Sequence, residues 1–175
     1  MDGVTKTMMD ALSSWAFHWL IPLACVLVYG ALVEYVGHRW LMHRPLLGRV
    51  YWYLDHAIEH HGKGRNDINI SISPITALVV TSPVLCIALF CGWQAIIVIP
   101  VASLAYAALW TCLHASYHDV GCQWIKGLPG YGRWRTHHLL HHTNPATNFG
   151  TVFIFTDRLF GTASFFESGS HRLGH

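Results

Sequence analysis

Charge is what this chain has least of. Only 11% of its 175 residues are Asp, Glu, Lys or Arg, against roughly 25% in a soluble domain. A net charge of +2 is too small to suggest a nucleic-acid partner, whose binding leaves a strongly basic balance. Cysteine is present five times (Cys25, Cys86, Cys91, Cys112, Cys122) but never as C-x-x-C, which disfavours thiolate zinc and iron–sulfur sites. That scatter gives no disulfide framework and suits a reducing face. Internal repeats and low-complexity tracts are missing as well.

What fills the space is apolar. Hydrophobic residues make up 53% of the chain and the mean hydropathy is +0.34, the profile of a membrane protein. The length, 1–175, fits a single domain. About 20 apolar residues cross a bilayer, and residues 15–36, interrupted only by His18 and Glu34, are the first such run. Pro22 is tolerable in a membrane helix, and Trp15 and Trp19 suit an interfacial belt. A cleaved leader is the weaker reading, because Lys6 stands against Asp2 and Asp10. Residues 74–90 and 94–112 are two further spans, joined by Cys91-Gly92-Trp93 as a tight hairpin. The polar stretches 37–73 and 113–175 remain outside, with 46–54 as an amphipathic interfacial segment. The expected fold is an all-α membrane protein with about three transmembrane helices, one plus a helical hairpin, and a cytosolic helical cap.

Eleven of the fourteen histidines fall in four groups: His38-x4-His43, His56-x3-His60-His61, His114-x3-His118 and His137-His138-x2-His141-His142. Residues three or four apart share a helix face, so 56/60, 114/118, 138/141 and 138/142 can each aim two imidazoles at one point. Neighbours on a helix diverge by about 100°, so the doublets 60/61 and 141/142 suit two metals or a helix end. His38 and His43 fit best if they serve separate ions or if the helix ends between them. Ten positions (His38, His43, His56, His60, His61, His114, His118, His138, His141, His142) exceed one ion's capacity and suit two ions with four or five nitrogens each. His137 competes with His138, which is favoured. His18, His171 and His175 read as ordinary interfacial or core residues.

Three crossings put all four groups on one side. Ten of the eleven Lys and Arg residues, all but Lys6, lie there too, which makes that side cytosolic by the positive-inside rule. Glu34, costly in an apolar run unless paired, is a candidate partner for a ligand imidazole or a snorkelled helix-end acid. Asp55, Glu59, Asp67, Asp119 and Asp157 are further candidate acceptors. Asn144 and Asn148 read as turn residues around Pro145. The aromatics Tyr51, Trp52, Tyr53, Phe149, Phe153, Phe155, Phe160, Phe165 and Phe166 anchor the cap at the interface or line a lipid channel, the first reading being preferred.

An all-histidine site beside apolar helices invites a lipid substrate. Hydrolytic zinc sites keep three protein ligands and an open position, so ten nitrogens fit redox iron better. No side chain breaks an unactivated C–H bond, and a metal with dioxygen must supply that oxidant. The motifs H-R-W-L-M-H (38–43), H-A-I-E-H-H (56–61), H-A-S-Y-H (114–118) and H-L-L-H-H (138–142), with N-F-G…D-R-L-F-G-T (148–162), resemble the fatty acid hydroxylase superfamily of sterol desaturases and sphingolipid and carotenoid hydroxylases. The resemblance covers about 34–162. It implies a dimetal centre, iron in the active state, held by the ten histidines named above, and dioxygen as co-substrate. Imidazole-rich sites readily take zinc during purification, so zinc is the alternative ion in purified protein. It also implies a lipid substrate and an external electron donor, cytochrome b5-like or ferredoxin with its reductase, because no His-Pro-Gly-Gly heme segment is present. The implied location is a bacterial inner membrane or the endoplasmic reticulum. One departure is a three-residue gap between His56 and the doublet, where relatives often have two.

The expected activity is therefore oxygen-dependent lipid hydroxylation, a monooxygenase reaction of lipid biosynthesis. Acyl or sterol desaturation and carotenoid hydroxylation are the alternatives on the same scaffold. A non-enzymatic heme or metal-binding membrane protein is the alternative of another class.

Overall fold

The computed structural model describes residues 3–45, 51–67, 69 and 71–165. Every regular element among them is helical. Three helices are long and apolar enough to cross a membrane: Thr7–Met42, Pro74–Cys91 and Trp93–Tyr117. The spans expected at 15–36, 74–90 and 94–112 are present and all longer than the hydropathy run alone requires. His171, His175 and Phe166 lie outside the described residues, as does most of the interfacial segment expected at 46–54.

The chain forms two compact units. The first comprises Met1–Val33 and Ser71–Cys112. Its leading helix passes from α1 (Gly3–Trp15) through a π-helical stretch, Ala16–Leu20, into α2 (Ile21–Val36). Pro22 lacks the N–H for an ordinary α bond, and the wide turn falls just before it. Ser73 caps α4 (Pro74–Thr81) by accepting from Thr76 N at 3.1 Å, with Pro74 at the first helical position. Pro83 then forces a 3-10 stretch, Ser82–Ile87, before α5 (Ala88–Cys91). The Val79 carbonyl, which Pro83 cannot serve, accepts instead from the Ser82 backbone N–H and from Ser82 Oγ, the latter at 2.8 Å, so it stays satisfied where no water is at hand. Gly92, at φ +80°, turns the hairpin in a conformation that only glycine adopts without strain. His18 donates from Nδ1 to the Cys91 carbonyl at 2.5 Å, so this histidine pins one apolar helix to another. Val26, Val84, Cys91, Ala95 and Ile99 form the packed centre.

The second unit comprises Glu34–Ile70 and Leu113–His175. It holds the π-helical Gly37–Met42 and Leu54–Gly62, the latter preceded by a single α turn, α3 (Tyr51–Tyr53). It also holds the end of α6 (Trp93–Tyr117), a 3-10 turn Gln123–Gly127, α7 (Tyr131–Thr143) and α8 (Phe155–Leu159). Tyr35, Leu113, Ala115, Tyr117, Ile125, Tyr131, Phe149 and Val152 are its buried apolar residues among those described. Among the cysteines, Cys25, Cys86 and Cys91 are free. Cys112 and Cys122 are disulfide-bonded, where the scattered spacing predicts no framework.

Candidate metal centre

The second unit gathers its histidines into two groups. His38, His43, His56, His61 and His141 bring one ring nitrogen each to within 4.8 Å of one another, and His60, His114, His118, His138 and His142 do the same. All ten positions singled out from the spacing are therefore brought together, five and five.

Backbone geometry explains the sorting. Residues five apart on an α-helix point about 140° away from each other, yet His56 and His61 share a group. They can because Leu54–Gly62 is π-helical, with i→i+5 bonds such as Lys63 N to Ile58 O at 3.0 Å. There, residues four and five apart take the places that three and four apart hold in an α-helix. The three-residue gap before the doublet is thus one extra residue absorbed by a wider helix. His60, although four residues from His56, gives its nitrogen to the other group, a correction to the expected 56/60 pairing that helix pitch does not explain. His38 and His43 follow the second of their two alternatives, since the π-helical stretch ends at Met42 and His43 follows it. On the α-helices the ordinary rule holds for 114/118 and 138/142, while His141 crosses over. The two halves of the chain match: each keeps four histidines in one group and sends the middle member of its H…HH motif to the other.

Nitrogen separations test whether metal ions fit. His38 and His56 approach through Nε2 at 2.8 Å, His43 and His141 at 2.9 Å, His56 and His61 at 3.2 Å. In the second group His118 and His138 meet at 2.9 Å, and His138 and His142 at 3.1 Å. Metal–nitrogen bonds of ~2.1 Å at right angles place adjacent donors ~3.0 Å apart. These contacts are poor hydrogen bonds. The Nδ1 of His38 donates to the Phe149 carbonyl at 2.6 Å, that of His56 to Asn69 Oδ1 at 2.9 Å, and that of His141 to the Thr147 carbonyl at 2.6 Å. With Nδ1 protonated, each neutral ring turns a bare Nε2 lone pair inward, so His38 and His56 face each other lone pair to lone pair. His60 donates from Nδ1 to the Arg65 carbonyl at 3.1 Å, while its buried Nε2 has no hydrogen-bond partner. Inward lone pairs and an orphaned ring nitrogen are what a cation would satisfy.

Electrostatics keeps the rings neutral. Burial first, and neighbouring imidazoles second, push His43 and His142 down to about 3 and His118 to about 4. The same burial lowers His56, His60, His61, His138 and His141. At neutral pH these nitrogens are free to coordinate. His61 and His142 stack across the two groups, ring centroids 4.0 Å apart and 14° from parallel, so the groups are neighbours.

A buried carboxylate frames the site. Asp157 accepts from Phe149 N (2.8 Å), Gly150 N (2.8 Å), Thr162 Oγ1 (2.7 Å) and His137 Nε2 (2.9 Å). Burial alone would raise its carboxyl, but the bonds from His137, Gly150, Thr162 and Phe149 prevail and hold it below the usual range. His137 therefore serves Asp157, and His138 sits in the metal group. Gly150 is required here, because a Cβ would lie 2.8 Å from the Phe153 carbonyl and 2.9 Å from Thr156 Oγ1. Asn148, at φ +57°, is more than a turn residue: its amide bonds the His137 and Ser164 carbonyls, each at 3.2 Å, and accepts from Ser164 N at 2.7 Å. Asn144 makes the expected short turn to Ala146 N. Glu34 caps the Thr151 and Val152 amides. Glu59 and Asp67 pair with Lys63 and Arg65, and Asp119 with Lys126 and Arg135, all at the surface. Phe149 is buried against His38, His43 and His141, so it is not the interfacial anchor expected. Asn69 and the carbonyls of Arg65, Thr147 and Phe149 are the partners that sequence reasoning missed. A lone Asn in a polar loop carries no signal, and a carbonyl carries none at all.

Fold and site define an all-helical membrane protein with paired histidine cages suited to metal ions. The fatty acid hydroxylase model matches residues 23–162, about four fifths of the chain, and the chain belongs to that family of oxidoreductases. No curated protein and no solved structure matches it.

Proposed function

We propose that the protein is a membrane-bound, oxygen-dependent lipid hydroxylase with a di-iron centre. One ion is held by His38, His43, His56, His61 and His141, the other by His60, His114, His118, His138 and His142. The observation that carries the reading is the gathering of ten neutral imidazoles into two groups of five. Five nitrogens are one more than tetrahedral zinc accepts and leave an octahedral ion a single open position. Two iron ions so bound would supply dioxygen activation, the one chemistry that side chains lack.

The protein's own residues do the rest. Asn69 and the carbonyls of Phe149, Arg65 and Thr147 fix four rings in the Nδ1–H tautomer and aim their Nε2 atoms inward. Among the described residues both groups consist of neutral imidazoles alone, so the protein would hold the two ions without neutralising their charge. Each group combines three buried rings with two half-buried ones, His43 and His61 in one and His118 and His142 in the other. The half-buried rings mark the side from which a lipid chain approaches. In the reaction, one oxygen atom enters a C–H bond and the other leaves as water. Two electrons and two protons come from an external donor, cytochrome b5-like or ferredoxin-linked.

Lipid analysis of a host with and without the protein tests the reading. A product heavier by one oxygen is expected, and a product lighter by two hydrogens would replace hydroxylation by desaturation. His141→Ala should abolish the product and lower bound metal, and unchanged turnover would contradict the assignment. An absorption spectrum without a Soret band is expected, and a Soret band would instead make this a heme protein.

A further inference from the structure

Away from the metal groups, the second unit has a half-open cavity of about 260 Å³. Arg133, Thr136, His137, Arg158 and Ser164 supply its polar lining, and Leu140, Ile154 and Phe165 its apolar wall. None of the ten clustered histidines lines it. Among the described residues the ion pairs are made by Lys63, Arg65, Lys126, Arg135 and His137, and neither arginine of the cavity takes part. Both guanidinium groups are exposed beside one concavity, so an anion entering it meets two positive charges that no carboxylate neutralises. The Arg158 guanidinium also rests 5.6 Å over the Phe165 ring, which restricts its approach.

The surroundings narrow the anion. Phe155, Leu159, Phe160 and Phe165 are exposed to between 44% and 68%. Phe155 and Leu159, four apart on α8, share a face. Large apolar side chains next to arginines that lack a carboxylate are the surface of a protein seated at the headgroup level. A carboxylate is satisfied by one guanidinium fork, whereas a phosphate has oxygens enough for two forks and a hydroxyl. We propose that this cavity binds the phosphate of an anionic phospholipid, with Arg133 and Arg158 as its two clamps, Thr136 as a third donor, and Leu140, Ile154 and Phe165 against the glycerol and upper acyl chain. The inference is independent of the metal assignment.

Native mass spectrometry of the full chain, released from phosphatidylcholine nanodiscs with and without phosphatidic acid, tests it. The protein should retain phosphatidic acid in preference to phosphatidylcholine. Removing both clamps (R133Q/R158Q) should weaken that retention about thirtyfold, from roughly fivefold per basic residue at a membrane surface. K63Q/K126Q, which removes the same charge elsewhere, should leave it unchanged. If the clamp variant fails to fold, as near-ultraviolet circular dichroism would reveal, competition on the unaltered protein decides. Neither inorganic phosphate nor oleate should displace the lipid. Displacement by phosphate would make this a free-anion site, displacement by oleate a carboxylate site, and equal retention by R133Q/R158Q or no preference over phosphatidylcholine would remove the site altogether.

Discussion

At the scale of single residues, imidazole orientation decides the site, and each ring's second nitrogen sets it. Asn69 accepts from His56, so Asn69→Ala should lower metal affinity about tenfold to a hundredfold while leaving the helices intact, as metal titration followed by circular dichroism would show. Asp157 binds four donors at once. Asp157→Asn places an amide where only acceptors fit, and a loss of roughly 2–4 kcal/mol is expected, read as a lower thermal midpoint. Because Phe149 N and the Phe149 carbonyl belong to one residue, that variant should also loosen His38 and reduce bound metal. The ten clustered histidines were legible as ligand candidates from spacing and clustering. Their acceptors were not, because carbonyls and isolated amides have no sequence signature.

At the scale of elements, helix type does what spacing alone does not explain. The π-helical Leu54–Gly62 accommodates one residue more than an α-helix would between His56 and the doublet. Deleting the half-exposed Ile58 should therefore convert the stretch to an α-helix and keep two metals per chain. Inserting an alanine after Ile58 should instead drop bound metal to about half or less, and inductively coupled plasma analysis distinguishes the two. The membrane spans were legible because apolar length is a direct requirement of the bilayer. Their interruptions at Pro22 and Pro83 were visible as residues but not as geometry, since a proline can be absorbed by a π or a 3-10 turn depending on its neighbours.

At the scale of the whole molecule, stability should depend on pH through the histidines. Rings lowered to about 3 or 4 when folded sit near 6.5 when unfolded. Below 6.5 the unfolded chain takes up protons that the folded chain refuses, so stability falls as pH drops from about 6.5 toward 4. The metal-free protein should show a thermal midpoint that declines over that window and is flat above it. Sidedness is open to experiment as well. Ten of eleven basic residues accompany the histidines, which predicts a cytosolic site, whereas the disulfide-bonded Cys112 and Cys122 would favour an oxidising compartment. A Lys63→Cys probe should be shielded from a membrane-impermeant maleimide added outside intact cells, and labelling there would reverse the orientation.

The sequence by itself determined the solvent, the helical class and the ten ligand candidates, because each rests on local chemistry: apolar length for a bilayer, and histidine repeats that fall near a helical turn. Only the tertiary structure decided which histidine joins which group, that His60 and His141 exchange places, and that Asp157 and Asn148 hold the frame. Those outcomes depend on helix pitch and on contacts between segments far apart in the chain, such as His38 with the Phe149 carbonyl, 111 residues on. No local pattern encodes such a distance.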